Sequence, residues 1–165
     1  MIPGLKIYFN KKQKEMILES IEDILDKGQL SAGEYVKNFE KEWLKICNTK
    51  FACAVSSGGA ALEVIMKSLD LQNKEVIVPS NTFLATSNAA HVAGAKPILS
   101  DVNLNDMNID LENIKKNLSE KTKAVCIVHV GGIISKEIEK IKNFCDDNNI
   151  YLIEDAAHGH GSTYN

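Results

Sequence analysis

Three short apolar runs, Val76-Ile77-Val78, Ala124-Val125-Cys126-Ile127-Val128 and Tyr151-Leu152-Ile153, constrain this chain more than any other feature. A strand with one wet face alternates apolar and polar side chains. A strand that is apolar at consecutive positions is covered on both faces, as in parallel sheets. Between such runs the spacing turns helical. Lys11 to Lys27 carries Ile17, Ile21, Ile24 and Leu25 at helical intervals, with Gly28 as the stop. Glu34 to Cys47 carries Val36, Phe39, Trp43 and Ile46 on one face.

Read in order, the remaining pattern predicts a strand over 51–56 and a helix over 59–69 with Leu62, Ile65, Met66 and Leu69 inward. A strand over 75–79, a helix over 82–92 and a strand over 97–102 follow. Next come a helix over 110–118, a strand over 123–130, a helix over 135–146 and a strand over 150–155. The expected fold is therefore α/β in three layers: a mostly parallel sheet with helices on both faces. A helical lead-in occupies residues 1–50, and alternating strands and helices occupy 51–165. At 165 residues the chain fits one domain.

Composition narrows the function. Hydrophobic residues make up 44% of the chain, enough for a core, and the net charge is −3. No basic stripe of the kind a nucleic-acid backbone attracts is present. All 19 basic residues are lysine, so a bound anion is held by backbone amides, hydroxyls or lysine rather than by a guanidinium fork. Cys47, Cys53, Cys126 and Cys145 form no C-x-x-C pair, which argues against a zinc or disulfide framework. The start, Met1-Ile2-Pro3-Gly4-Leu5-Lys6, lacks a signal-peptide pattern. No apolar run approaches the roughly 18 residues of a membrane span. The expectation is a cytoplasmic protein that binds neither nucleic acid nor membrane.

The chemistry is expected at the carboxyl ends of the strands, where open α/β sheets bind ligands. Glu154 and Asp155 close the last strand and lead into Ala156-Ala157-His158-Gly159-His160. Ser56-Ser57-Gly58-Gly59-Ala60 turns from a strand into a helix. Unpaired amides and partial positive charge at a helix start make an anion cradle, or simply a serine-capped turn. It is not a P-loop, because no Gly-Lys-Ser/Thr follows, and G-x-G-x-x-G is absent. Phe83, after Val78-Pro79-Ser80-Asn81-Thr82, is either core or a cover for a flat ring. His129 ends a strand before Gly131-Gly132. His158, His160 and Asp155 invite a metal reading, but no second ligand cluster supports one. An anion cradle, an aromatic ring and an acid suit an aromatic phosphate ligand with a basic nitrogen. Pyridoxal phosphate (PLP) is one, and an aspartate keeps its ring nitrogen protonated.

From about Leu25 to Asn165 the chain resembles the DegT/StrS family of PLP-dependent sugar aminotransferases. Ser56-Ser57-Gly58-Gly59-Ala60-Ala61-Leu62 is similar to the family's S-S-G-T-A-A-L turn. Val78-Pro79-Ser80-Asn81-Thr82-Phe83 is similar to V-P-S-x-T-F, Asn108-Ile109-Asp110 to N-I-D, and Ile153-Glu154-Asp155-Ala156-Ala157 to I-E-D-A-A. The resemblance implies part of the large domain of an aspartate-aminotransferase-like (type I) PLP fold. It implies that Asp155 pairs with the pyridine nitrogen, Phe83 stacks on the ring, and His158 lies near the ring oxygen. Ser57, Gly58, Gly59 and Ala60 would hold the phosphate, with Gly59 and Ala60 giving amides. It also implies a nucleotide-linked keto-sugar substrate, an amino donor such as glutamate, and a homo-oligomer.

Three features depart from the family pattern. Gly59 stands where the family usually has Thr, and Val130-Gly131-Gly132 replaces its L-Y-G. No lysine follows Lys142, which reads as a surface position, and the sequence ends ten residues after Asp155. The family's Schiff-base lysine, which also shuttles the proton, lies beyond that point. The expectation is the amino-terminal portion of an aminotransferase, inactive alone, with an open sheet edge that favours self-association. A short non-catalytic homologue that binds the cofactor or a partner fits the same pattern. So does a sugar dehydratase or isomerase of the same family.

Overall fold

The computed structural model describes residues 6–164. The stretch Met1–Leu5, which carries most of the amino-terminal reading above, and Asn165 lie outside the described residues. Two compact units divide the chain, Met1–Ala54 and Val55–Asn165.

The first unit holds α1 (Lys11–Lys27) and α2 (Glu34–Cys47). Asn10 opens α1 with a reciprocal cap: its side chain accepts from the Gln13 amide, and the Gln13 side chain accepts from the Asn10 amide. Gly28 closes the helix in the left-handed region at φ 65°, where a glycine costs least. Phe39 and Trp43, one turn apart on α2, stack with centroids 5.9 Å apart. The apolar stripes that define these helices bury no residue.

The second unit holds α3 (Gly58–Ser68), β1 (Glu75–Pro79), α4 (Leu84–Val92) and β2 (Lys96–Ser100). It continues with α5 (Leu111–Lys116), β3 (Thr122–Val128), α6 (Ile138–Asp147) and β4 (Tyr151–Asp155). The four strands form one parallel sheet in the order β2-β1-β3-β4. The continuous apolar runs have the predicted cause. In β1, Val76 and Val78 point into a cluster with Leu62 and Met66 of α3 and Ala89 and Ala90 of α4. Ile77 between them points to the other side, into a cluster with Ile114 of α5 and Ile141 and Cys145 of α6. In β3, Ala124 and Cys126 share the first cluster while Val125 and Ile127 share the second. The sheet is thus the middle of three layers, as expected.

Several expectations are corrected. Residues 51–56 form no strand. A strand exists only through a ladder, and no described strand pairs with this segment; the Ala54 amide donates instead to Glu40 Oε1 at 2.8 Å. The helix over 82–92 starts at Leu84, because Phe83 is its extended N-cap residue. The strand expected to reach Val130 ends at Val128, and Val130–Gly132 forms a tight turn with Gly131 at φ 65° and Gly132 at φ 79°. On α3, Leu62 and Met66 are buried and Leu69 packs at the margin, but Ile65 is exposed. Lys142 is exposed and pairs with Asp146.

Candidate functional site

Each helix of the second unit returns the chain across the sheet, so α3 and α4 begin at the carboxyl ends of the strands. Two candidate regions meet there. At the first, Ser57 is the N-cap residue of α3, and its Oγ accepts from the Ala60 amide at 3.1 Å. The Ala61 amide donates to the Ser57 carbonyl at 3.0 Å. The amides that remain without an intrahelical acceptor are those of Gly58 and Gly59. A Cβ on Gly58 would meet nothing within 4 Å, and one on Gly59 would lie 3.6 Å from the Ala85 methyl group. The turn is therefore open above Gly58 and packed against the start of α4 at Gly59.

At the second region, Asp155 ends β4. Its pairing with Val128 places both side chains on the sheet face that carries α3 and α4. Its Oδ2 accepts from Thr86 Oγ1 at 3.4 Å, and its Oδ1 accepts from the Ala157 amide at 3.1 Å. Thr86 is fully buried on α4, and its hydroxyl also bonds that of Thr82 at 2.8 Å. Two hydroxyls, one just before α4 and one in its first turn, thus lead to the carboxylate. Asp155, Phe83 and His158 line one cavity of about 140 Å³, together with Asn81, Val128 and Val130. Phe83 is 81% exposed. A phenyl ring left that open has the freedom to cover a flat ligand, at the cost of standing in water. His158 Nδ1 accepts from the Gly131 amide at 3.2 Å.

Sequence reasoning named Phe83, Asp155 and His158, and the fold brings these three to one cavity. Ser57, Gly58, Gly59 and Ala60 do not line it; they lie beside it, through the contact of Gly59 with Ala85. Reading the sequence missed Thr86, whose signal was a second threonine four residues after Thr82, in the first turn of α4. It also missed the role of Glu154. Strand alternation turns Glu154 to the opposite face from Asp155, where its Oε2 meets His129 Nε2 at 3.0 Å. His129 is buried, and its Nδ1 has no hydrogen-bond partner in the structure. The histidine therefore braces the strand end from behind and does not face the cavity side of Asp155.

Electrostatics leave the thiol nearest the carboxylate inert. Burial, reinforced by the Asp155 charge, pushes the Cys126 thiol far above the ordinary cysteine range. All four cysteines are free. Among the described residues no group of three His, Cys, Asp or Glu is placed to hold a metal ion, and no helix is long and apolar enough to cross a membrane.

The arrangement can accept a proton-bearing ring atom at Asp155, present a donor or acceptor at His158, and receive an anion at the start of α3. Comparison with known proteins identifies the family. The profile of the DegT/DnrJ/EryC1/StrS aminotransferase family matches residues 11–165. A GDP-perosamine synthase from Vibrio cholerae is 35% identical over 147 residues, covering 88% of this chain and 40% of the relative. A dTDP-3-amino-3,6-dideoxy-alpha-D-galactopyranose transaminase from Aneurinibacillus thermoaerophilus is 34% identical over 167 residues, 100% of this chain and 46% of the relative. Among solved structures, DesV of S. venezuelae superposes with a TM-score of 0.87 at 28% identity, over 92% of this chain and 41% of that one. An E. coli GDP-4-keto-6-deoxy-D-mannose-3-dehydratase with bound hydrated PLP superposes with a TM-score of 0.85 at 26% identity, over 99% of this chain and 42% of that one. The chain thus spans less than half the length of the relatives it matches.

Proposed function

The chain belongs to the DegT/DnrJ/EryC1/StrS aminotransferase family, and from that premise we propose that it forms the cofactor-facing part of a PLP-dependent enzyme acting on nucleotide-linked keto-sugars. In the complete protein this enzyme would transfer an amino group from a donor such as glutamate. The observation that carries the reading is the convergence of Phe83, Asp155 and His158 on one cavity at the carboxyl edge of a parallel sheet. Relatives named for transaminases and synthases of GDP- and dTDP-linked sugars support the substrate class.

The residues present fit the cofactor. Asp155 accepts from the protonated ring nitrogen, and Thr86 together with the Ala157 amide holds its carboxylate in place. Phe83 covers one face of the ring and keeps water from it. The Gly58 and Gly59 amides, at the positive end of α3, receive the phosphate in place of the Gly59 and Ala60 pair expected from the sequence, because the Ala60 amide already donates to Ser57 Oγ; Ser57 adds a hydroxyl. When bound, the cofactor supplies an electron sink that stabilises negative charge at the substrate carbon. The protein's part is to keep the ring nitrogen protonated, which a carboxylate at Asp155 would favour by accepting its hydrogen bond. Among the described residues no lysine lines this cavity; covalent attachment of the cofactor and proton shuttling would require one.

The similarity to a keto-sugar dehydratase over 99% of this chain favours, as a second reading, loss of water from the sugar on the same scaffold. A product assay on the complete protein separates the two.

The direct test is a PLP titration of the purified chain, followed by absorbance, with Asp155→Asn alongside. Saturable binding that weakens in the variant is expected. Absence of saturable binding, or equal binding by both proteins, would remove the assignment.

A further inference from the structure

Lysines on the helices of this chain sit beside acids, as in Lys27 with Asp23, Lys116 with Glu112 and Lys142 with Asp146. A different arrangement stands at the amino-terminal edge of the sheet, the edge opposite Asp155. There Lys74, Lys96 and Lys121 line one cavity of about 490 Å³, joined by His91 from the last turn of α4. Glu75 is the one carboxylate that lines it. That carboxylate is already engaged: Oε1 lies 3.8 Å from Lys96 Nζ, and Oε2 accepts from Ser119 Oγ. Among the described residues Lys74 and Lys121 pair with no acid. Three ammonium groups thus face one occupied carboxylate, in a chain whose net charge is −3.

The sheet fixes where these lysines stand. Glu75 is opposite Lys96 on β2 and opposite Thr122 on β3. Lys74 precedes Glu75, and Lys121 precedes Thr122. Backbone bonds lace the strand starts together. The Lys96 amide donates to the Lys74 carbonyl at 2.8 Å, the Glu75 amide to the Lys121 carbonyl at 2.9 Å, and the Asn73 amide to the Gly94 carbonyl at 2.9 Å. Neighbouring strands lie about 4.8 Å apart, so the three lysine backbones span roughly 10 Å. Flexible lysine stems on that base can close together on an anion of several charges. The carbonyls at the end of α4 would oppose an anion if left bare. They are occupied instead: the Ala93, Gly94 and Ala95 amides donate to the Ala89, His91 and Ala90 carbonyls.

We propose that this edge is a second anion site, in which Lys74, Lys96 and Lys121 bind a compact multivalent phosphate: pyrophosphate, or the diphosphate of a nucleotide. The shared chemistry is the phosphoanhydride. No phenyl, phenol or indole ring lines the cavity, so the phosphates rather than a base carry recognition. An ammonium group is a point charge without a fixed fork, so the site selects by charge more than by shape. A nucleic-acid backbone is a poorer match, because its binding draws on phosphate contacts along a strand and this cluster is confined to one cavity. β1 has five residues, which puts about 13 Å of strand between this edge and the cavity at Asp155. The site is therefore separate from the PLP assignment, and loss of that assignment leaves it standing.

The test is a titration of the purified chain with pyrophosphate at low salt and without PLP, followed by amide NMR and by calorimetry. Saturable shifts are expected at the amides of Lys74, Glu75, Gly94, Lys96 and Lys121, with affinity rising from phosphate to pyrophosphate to tripolyphosphate. Lys74→Gln and Lys121→Gln are each expected to weaken pyrophosphate binding roughly 3- to 5-fold, the value of one exposed charge contact, and the double variant about 10-fold or more. Both lysines are exposed, so the substitutions leave the core untouched. Lys142→Gln, remote from the cavity, is expected to bind as the unmodified chain does. Uridine diphosphate separates the two sources: affinity equal to that of pyrophosphate assigns the free anion, and tighter binding at the same amides assigns the nucleotide. No saturable shift at millimolar pyrophosphate, shifts centred on Gly58 and Gly59 instead, or equal affinity in the double variant would each overturn the site. So would an RNA oligonucleotide that shifts the same amides at lower concentration than pyrophosphate does.

Discussion

Replacing Thr86 by valine tests the support beneath Asp155. The two side chains are close in shape, so the change removes a hydroxyl from a fully buried position with little change in volume. Each threonine hydroxyl has one proton. If Thr86 donates to Asp155, its oxygen is left to accept from Thr82, and the two bonds form a chain directed at the carboxylate. A bond to a charged acceptor contributes about 1.5 to 3 kcal/mol. At 3.4 Å this one is long, which places it at the low end of that range. The Thr82 bond adds about 0.5 to 1 kcal/mol, reduced because Thr82 is only half-buried and finds other partners. The expected loss is about 2 kcal/mol, or roughly 4 to 8 °C in Tm for a chain of this size. Urea unfolding of Thr86→Val, Asp155→Ala and the double variant closes a thermodynamic cycle. A coupling of about 1 kcal/mol between the two positions is expected. Coupling within about 0.3 kcal/mol of zero would refute the reasoning, because the carboxylate would then be held by the Ala157 amide alone.

Three further outcomes follow from the geometry. Gly132→Ala carries both a left-handed backbone and a Cβ overlap with the His158 carbonyl, and is expected to lose at least ~2 kcal/mol. Gly131→Ala carries the backbone strain alone and should lose about half as much; equal urea midpoints for the two would deny the close approach. Native thiol labelling should modify Cys47 and Cys53, which are exposed, and spare Cys126 and Cys145, which are buried; burial pushes the Cys145 thiol up to about 11. Labelling of all four at similar rates would contradict the packing. Glu137 accepts from the Leu111 amide and pairs with Lys140, and these contacts hold its carboxyl below the usual glutamate range. A lowered folded value stabilises the protein above the ordinary glutamate pKa, and that stability disappears as pH falls through the lowered value. Glu137→Gln should therefore flatten the acid limb of stability below the ordinary glutamate pKa; an unchanged limb would show that the carboxylate is not paired in solution.

The division between what was legible and what was not follows the range of the interactions involved. β1 was legible to the residue, because Val76, Ile77 and Val78 are buried from both sides and nothing else suits such a run. Helix starts were legible where a side chain makes the cap, as at Ser57 and Asp110, and drifted by two or three residues at Phe83 and Glu137, which make no side-chain cap bond. Residues 51–56 misled for a physical reason: the residue types suit a strand, but a ladder needs a second strand, and none of those described pairs with it.

By itself the sequence determined the layers, the parallel sheet, and the presence of an acid, an aromatic ring and an imidazole at strand ends. Those properties reside in local pattern, where apolar spacing and capping chemistry act over a few residues. Only the tertiary structure decided which of these groups meet. It joined Phe83, Asp155 and His158 across more than seventy residues of chain, set Thr86 under the carboxylate, and turned His129 to the rear. Strand register and helix return settle such contacts, and a one-residue shift in pairing would send Asp155 to the other face of the sheet.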